Sequence, residues 1–157
     1  MKAEFIQQYE HTWRVFERLV NDFDPEAWTH TGRGAITPVR LSTHILQAAK
    51  GYMQDPTPVL FVSGKSFDCD WITVPEEDLP SQADVLACID ELKAKTEHWL
   101  SAMDFDCENK AFPWAGKTRL GVVLFLLRHN LFHIGELSSL LNESKNGVVE
   151  DHYVRAL

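Results

Sequence analysis

Large apolar side chains recur near the N-terminus at Phe5, Tyr9, Trp13, Phe16, Leu19, Val20 and Phe23. Steps of three and four trace one face of an α-helix, so the pattern predicts a first helix that ends between Asn21 and Pro25. His30 to Ala35 follows as a polar, glycine-containing loop. Thr37-Pro38 has the form of an N-cap with proline at the first helical position, where the missing N–H has no partner to lose, and predicts a second helix through Met53. Asp55-Pro-Thr-Pro58 stops it, because a residue before proline avoids helical backbone. Prolines at 56, 58, 75 and 80 make the next stretch a long crossover, in which Val59 to Val62 and Trp71 to Val74 form short extended segments at best. Ser81-Gln-Ala-Asp84 is a capping box with Asp in place of Glu, and Val85, Ile89, Leu92, Thr96, Trp99 and Met103 continue behind it at helical spacing. After a turn-rich link from Asp104 to Gly116, Thr118 caps a fourth helix from Arg119 to the neighbourhood of Leu141, ended by Asn142 to Gly147. The segment from Val148 to Leu157 is too short to classify.

Amphipathic helices with no convincing strands between them predict an all-α fold, a four-helix bundle with one long crossover, built as a single domain over residues 1–157. That length can bury a core without disulfides or metal staples. Five Trp and nine Phe give the core large aromatic rings to pack. A net charge of −8, with no Lys/Arg cluster longer than a pair, leaves nothing from which to build a phosphate-binding stripe, which argues against a nucleic-acid partner. Lys2, Glu4 and two glutamines interrupt the start of the chain, unlike a secretory signal. No uninterrupted apolar run approaches the roughly 18 residues of a membrane span. The expectation is a soluble, cytoplasmic protein without a membrane partner. Cys69, Cys88 and Cys107 are odd in number and widely spaced, which reads as neither a disulfide framework nor a metal knuckle and fits a reducing compartment. Cys88, amid Val85, Leu86 and Ile89, is expected to be a small buried hydrophobe.

The candidate chemistry lies in the fourth helix, where His129 and His133 stand four residues apart. At 100° per residue they are about 40° apart on the helix surface and one turn along it, a separation that lets two imidazoles reach one ion. Val122, Phe125, Leu126 and Leu140 share the face, so the rings are expected to point inward, where an unsatisfied polar group costs about 1–3 kcal/mol. His44 of the second helix, with Leu41, Ala48 and Gly51/Tyr52 on its side, is the best third ligand; the small Ala48 and Gly51 would leave room for an ion and a substrate. Neutral imidazole suits Zn²⁺, Ni²⁺, Fe²⁺ and Cu²⁺, and three such ligands leave coordination positions open. The plainer reading is a chance pair of histidines satisfied in the core or by solvent. His11, His30, His98 and His152 fall on polar faces or in loops and are expected to be solvated. Gly135, inside a helix, costs about 1 kcal/mol against Ala, and close approach of another helix is the expected compensation. Glu136 could accept a hydrogen bond from a ligand ring, act as a base, or be a fourth ligand; its plain reading is a solvated glutamate. Asn130 stands where a zincin would carry its catalytic Glu, so that pattern is absent.

Two segments resemble the DinB-like family, also called the YfiT-like fold: Leu41-Ser-Thr-His44-Ile-Leu46, and the block from Thr118 to Leu137, in which His129, His133 and Gly135-Glu136 fall on His-x-x-x-His-x-Gly-Gln/Glu. The resemblance implies a four-helix bundle, often a homodimer, holding a single divalent ion such as zinc, nickel or iron through His44, His129 and His133. It also implies transferase or isomerase chemistry with small thiols such as bacillithiol, mycothiol or glutathione. Ile134 stands where relatives often carry Arg, so an anion-binding role there is not carried over. The leading expectation is a small-thiol-dependent S-transferase acting on a small-molecule substrate. The alternatives are a hydrolase that uses metal-activated water with Glu136 as proton acceptor, and a non-catalytic stress-response bundle whose histidines fill the core.

Overall fold

A computed structural model describes residues 1–54, 69–147 and 151–157. Its helices are α1 (Lys2–Asp22), α2 (Pro25–His30), α3 (Pro38–Tyr52), α4 (Gln82–Ala102), α5 (Arg119–Ser144) and α6 (His152–Arg155), with 3₁₀ turns at Glu76–Asp78 and Pro113–Ala115. Among the described residues the only β pairing is two isolated bridges, Arg33 with Ile36 and Glu108 with Thr118. The fold is all-α.

Local signals set most of the ends. Ser81 and Asp84 form the reciprocal cap, Asp84 N donating to Ser81 Oγ at 3.1 Å and Ser81 N to Asp84 Oδ2 at 2.9 Å, which satisfies two of the amides a helix start leaves orphaned. α5 runs past Leu141 to Ser144 and ends in a Schellman motif. There Asn146 (φ 56°) and Gly147 (φ 86°) enter the left-handed region, and their amides bond back to Glu143 O and Asn142 O. Between Asp22 and the loop at Thr31, the structure adds a helix that the periodicity does not announce. Pro25 opens α2, and its Trp28 buries against Phe23 with ring centroids 6.0 Å apart. Six residues are too few to display a period, so burial of one indole decides this element.

α1 packs on α4 and α5, and α3 packs on α5 and α4, so each long helix has two long neighbours; α2 lies on α3 and α6 on α1. The buried apolar residues form one cluster in which Tyr9, Trp13, Phe16 and Trp99 are the large rings. Two of its polar atoms tie helices together: Tyr9 OH donates to Val123 O at 2.7 Å and Trp13 Nε1 to Thr96 Oγ1 at 3.0 Å, joining α1 to α5 and α4. By length and composition α5 could cross a membrane; here it packs against α1 and α3.

Several expectations are corrected. His11 and His152 are only 5% and 6% exposed, not solvated. α6 covers the polar side of α1: His11 Nε2–H donates to Tyr153 O at 2.8 Å, Arg14 Nε to Ala156 O at 2.9 Å, and His152 Nε2 meets Asp22 Oδ2 at 2.6 Å. His30 and His98 are exposed as expected, and Cys88 is buried. Trp71 to Val74 is a turn, not an extended segment, whereas Val59 to Val62 lies outside the described residues. No helix approaches Gly135: among the described residues nothing stands within 4 Å of where its Cβ would lie.

Open space at a helical glycine has a signed consequence. Gly135→Ala is expected to raise stability by about 0.4–1 kcal/mol, because alanine loses less backbone entropy on folding and meets no clash. Urea denaturation measures it, and a lower midpoint would mean that another surface approaches the glycine in solution.

Candidate metal centre

The seam between α3 and α5 carries His44 on one side and His129 and His133, one turn apart, on the other. Their ligand nitrogens all lie within 4.8 Å of one another, and His44 Nε2 is 3.1 Å from His129 Nε2. The ring centroids are 4.6 to 4.9 Å apart, with planes steeply inclined, so edges converge instead of faces stacking. Two imidazole nitrogens bound at roughly 2.0–2.1 Å to one ion stand about 3 Å apart, and the His44–His129 spacing meets that. The donor set therefore fits a divalent ion.

Neighbours orient two of the rings. His133 Nδ1 lies 2.7 Å from Glu136 Oε2, so its Nδ1–H donates to the carboxylate and the Nε2 lone pair is left to coordinate. His129 Nδ1–H donates to Asn130 Oδ1 at 3.4 Å, and Asn130 is fully buried. Glu136 thus takes the first of its three candidate roles, as acceptor from a ligand ring.

His44 is held differently. The indole of Trp71 stacks on it, with centroids 4.5 Å apart and planes 28° from parallel. Arg40 fixes that indole by donating to the carbonyls of Trp71 (2.9 Å), Ile72 (3.2 Å) and Val74 (2.9 Å), while Gln47 Nε2 donates to Cys69 O at 2.5 Å. Arg40, His44 and Gln47 follow at steps of four and three on one face of α3. The segment from Cys69 to Val74 is laced along the face of α3 that presents His44. Asp70 tightens the same turn by accepting from Ile72 N and Thr73 Oγ1, and these bonds hold its carboxyl below the usual carboxylate range.

His44 and His129 resist protonation. Burial, and then the charges that His133 and His129 would carry, lower the pKa of His44 from 6.5 to about 4. His129 is lowered by burial and by His133, opposed in part by its bond to Asn130. Neutral imidazole is the ligating form. The rings are partly buried, not enclosed as the inward reading had it: the His133 side chain is 16% exposed and Glu136 38%.

The structure brings together all three histidines expected as ligands, with Glu136 against them. His11, His30, His98 and His152 and the three cysteines stay outside the cluster. Trp71 and Arg40 were not singled out by sequence, and Asn130 only as a missing Glu. The Arg40/His44/Gln47 spacing was the available signal, but it does not say which segment those side chains hold. No family model, no curated protein and no solved structure matches the chain, so the likeness to the DinB-like family rests on the quoted motifs.

The lowered pKa sets a pH dependence. As pH falls, the unfolded chain takes up a proton at an ordinary imidazole before folded His44 does, so this contribution to the stability of the metal-free protein is full above about 6.5 and is lost as pH drops toward about 4. Urea midpoints from pH 7 to 4 are expected to fall more steeply for the wild type than for His44→Gln; parallel curves would contradict it. Glu136→Ala, which removes the acceptor from His133, is expected to weaken divalent-metal affinity by about 10- to 100-fold, read by competition with a chromophoric chelator.

Proposed function

We propose that this chain is a metal-dependent enzyme of the DinB-like type, which transfers a small thiol onto an electrophilic substrate at a divalent zinc, nickel or iron ion held by His44, His129 and His133. The observation that carries the reading is the convergence of three imidazoles from two helices within 4.8 Å. A four-helix bundle of α1, α3, α4 and α5 with a long crossover belongs to the same proposal, supported by the pairing of each long helix with two others. The homodimer and the cytoplasmic setting implied by the resemblance also belong to it.

A divalent ion held by His44, His129 and His133 would supply Lewis acidity that lowers the pKa of a small thiol, whose sulfur would form the new S–C bond as the electrophile's leaving group departs with its electron pair. The chain's own groups prepare that point. Glu136 and Asn130 each take the Nδ1–H of one ring and leave its Nε2 for coordination. Half-burial lowers the pKa of His44 and His129, which favours the neutral, ligating form. Trp71 covers the flank of His44. Ile134, at 4% exposure, belongs to the core and supplies no anion-binding group.

Hydrolysis by metal-activated water, with Glu136 as proton acceptor, is the second reading, favoured by the partial exposure of that carboxylate at the edge of the cluster. The 2.7 Å bond to His133 ranks it second, because it assigns Glu136 to orienting the ring. Glu136→Gln separates the two: the amide oxygen still accepts from His133, so thiol transfer persists, whereas hydrolysis that needs a proton acceptor is abolished.

The deciding measurement is metal content of untagged protein purified without chelator. Stoichiometric metal in the wild type and its loss in His129→Ala are the expected outcome. Metal-loaded protein should then accelerate reaction of low-molecular-weight thiols with a chromogenic electrophile, and His129→Ala should fall to the rate of the metal-free protein. A wild type without metal would leave the non-catalytic bundle standing.

A further inference from the structure

Each ring of the triad touches an aromatic side chain, and on one side the aromatics continue outward. Trp71 stacks on His44; Phe132 meets His133 edge-on at 5.0 Å; Phe125 lies nearly parallel to His129 at 6.2 Å. From Phe125 the contacts run to Tyr52 (5.1 Å), then Phe112 (4.9 Å), then Trp114 (5.8 Å), and Trp114 Nε1 donates to Tyr52 OH at 3.2 Å. This strip draws on three parts of the chain: α5, the last residue of α3, and the link before α5. It starts at a candidate ligand and leads to solvent.

The strip is unlike the aromatic core. Tyr9, Trp13 and Phe16 of α1 and Trp99 of α4 are buried, whereas along the strip Phe125, Tyr52 and Phe112 are partly exposed and Trp114 is 66% exposed. Scattered exposed rings are ordinary, but contiguous ones beside an open site mark a ligand-binding surface. Its rings are inclined at 55° and 57° to their neighbours, which offers faces and edges for offset or T-shaped contacts with another ring. Recognition of a cation is poorly provided for. Arg40 is committed to three carbonyls and Glu136 to His133. The Arg128 guanidinium lies 6.0 Å from the Phe125 ring, on the ground a cationic ligand would need.

We infer that this strip is the substrate wall of the metal centre and takes a molecule bearing an aromatic ring and no cationic group, laid against Phe125, Tyr52 and Phe112 with its metal-binding end at the triad. The inference rests on the metal-centre reading for that end, and on the ring contacts alone for the wall. A cationic group would lose water along the strip and meet the Arg128 guanidinium beside Phe125 instead of a partner.

The test uses cobalt-loaded protein and three thiols: benzyl mercaptan, 2-mercaptoethanol and thioglycolate, titrated by the thiolate-to-cobalt charge-transfer band. Benzyl mercaptan is expected to bind about tenfold or more tightly than the other two. In Phe112→Ala and in Trp114→Ala the gap should shrink to about threefold or less; Trp114 is exposed enough for its removal to leave the fold intact. Equal affinities for the three thiols, or a gap that survives both substitutions, would overturn the inference. In parallel, saturation-transfer NMR of the benzyl mercaptan ring is run on metal-free wild type and the same variants. Should cobalt fail to load, the metal-centre reading falls and this arm alone decides the wall: signal lost on substitution supports it, signal retained overturns it. Sedimentation of Trp114→Ala covers the remaining occupant, since an oligomer that dissociates with thiol binding unaltered would make the strip a subunit interface and sink the inference.

Discussion

The seam between α3 and α5 is the constraint on which the site depends. His44 meets His129 and His133 only while the two helices keep their register, because a slip of one residue moves a side chain by about 1.5 Å along the axis and 100° around it. That register is held by the core. Leu41, Ile45 and Leu46 of α3, and Val123, Leu126 and Leu137 of α5, are essentially without solvent exposure, and close-packed interiors do not deform continuously. Stability and site geometry thus share one origin. Arg40 and Gln47 then use the same face of α3 to anchor the segment from Cys69 to Val74, so the indole over His44 inherits the register of the ring it covers.

The site also costs the fold something. His44 and His129 are placed where burial and the charge that His133 would carry oppose their protonation, and the helices that carry them include two buried polar groups, Ser42 Oγ and Asn130 Nδ2, without a hydrogen-bond partner among the described residues. Each such group costs about 1–3 kcal/mol. Asn130 repays part of this by accepting from His129. Strain of this kind gathers where function overrides packing. On α5 the ligand and its orienting partner are one or three residues apart, so a single helix builds both; His44 has Trp71, which comes from a distant segment.

The seven histidines show how context divides one residue type. Three converge at the seam, His11 sits under α6, His152 opens α6 against Asp22, and His30 and His98 face water. Intrinsic basicity is the same for all of them. What differs is the contact that covers each, and for His11 and His152 that contact is the packing of a four-residue helix on α1.

By itself the sequence determined whatever is settled within a turn or two of helix. The capping box at Ser81, the proline start of α3, the asparagine and glycine that end α5, the His129/His133 pair and the reach of Glu136 to His133 depend on neighbours three to five residues away, and such neighbours are read directly. Even the choice of His44 needed only a helix face and a motif. Its meeting with the other two rings was decided by tertiary packing, as were the burial of His11 and His152, the small helix around Trp28, the open space at Gly135, the lid of Trp71 and the strip of rings running out from His129. The physical reason is common to all of these. A period shows which face of a helix is apolar, but whether that face, or the polar one behind it, is covered depends on a segment far away in the chain, and no local pattern records that pairing.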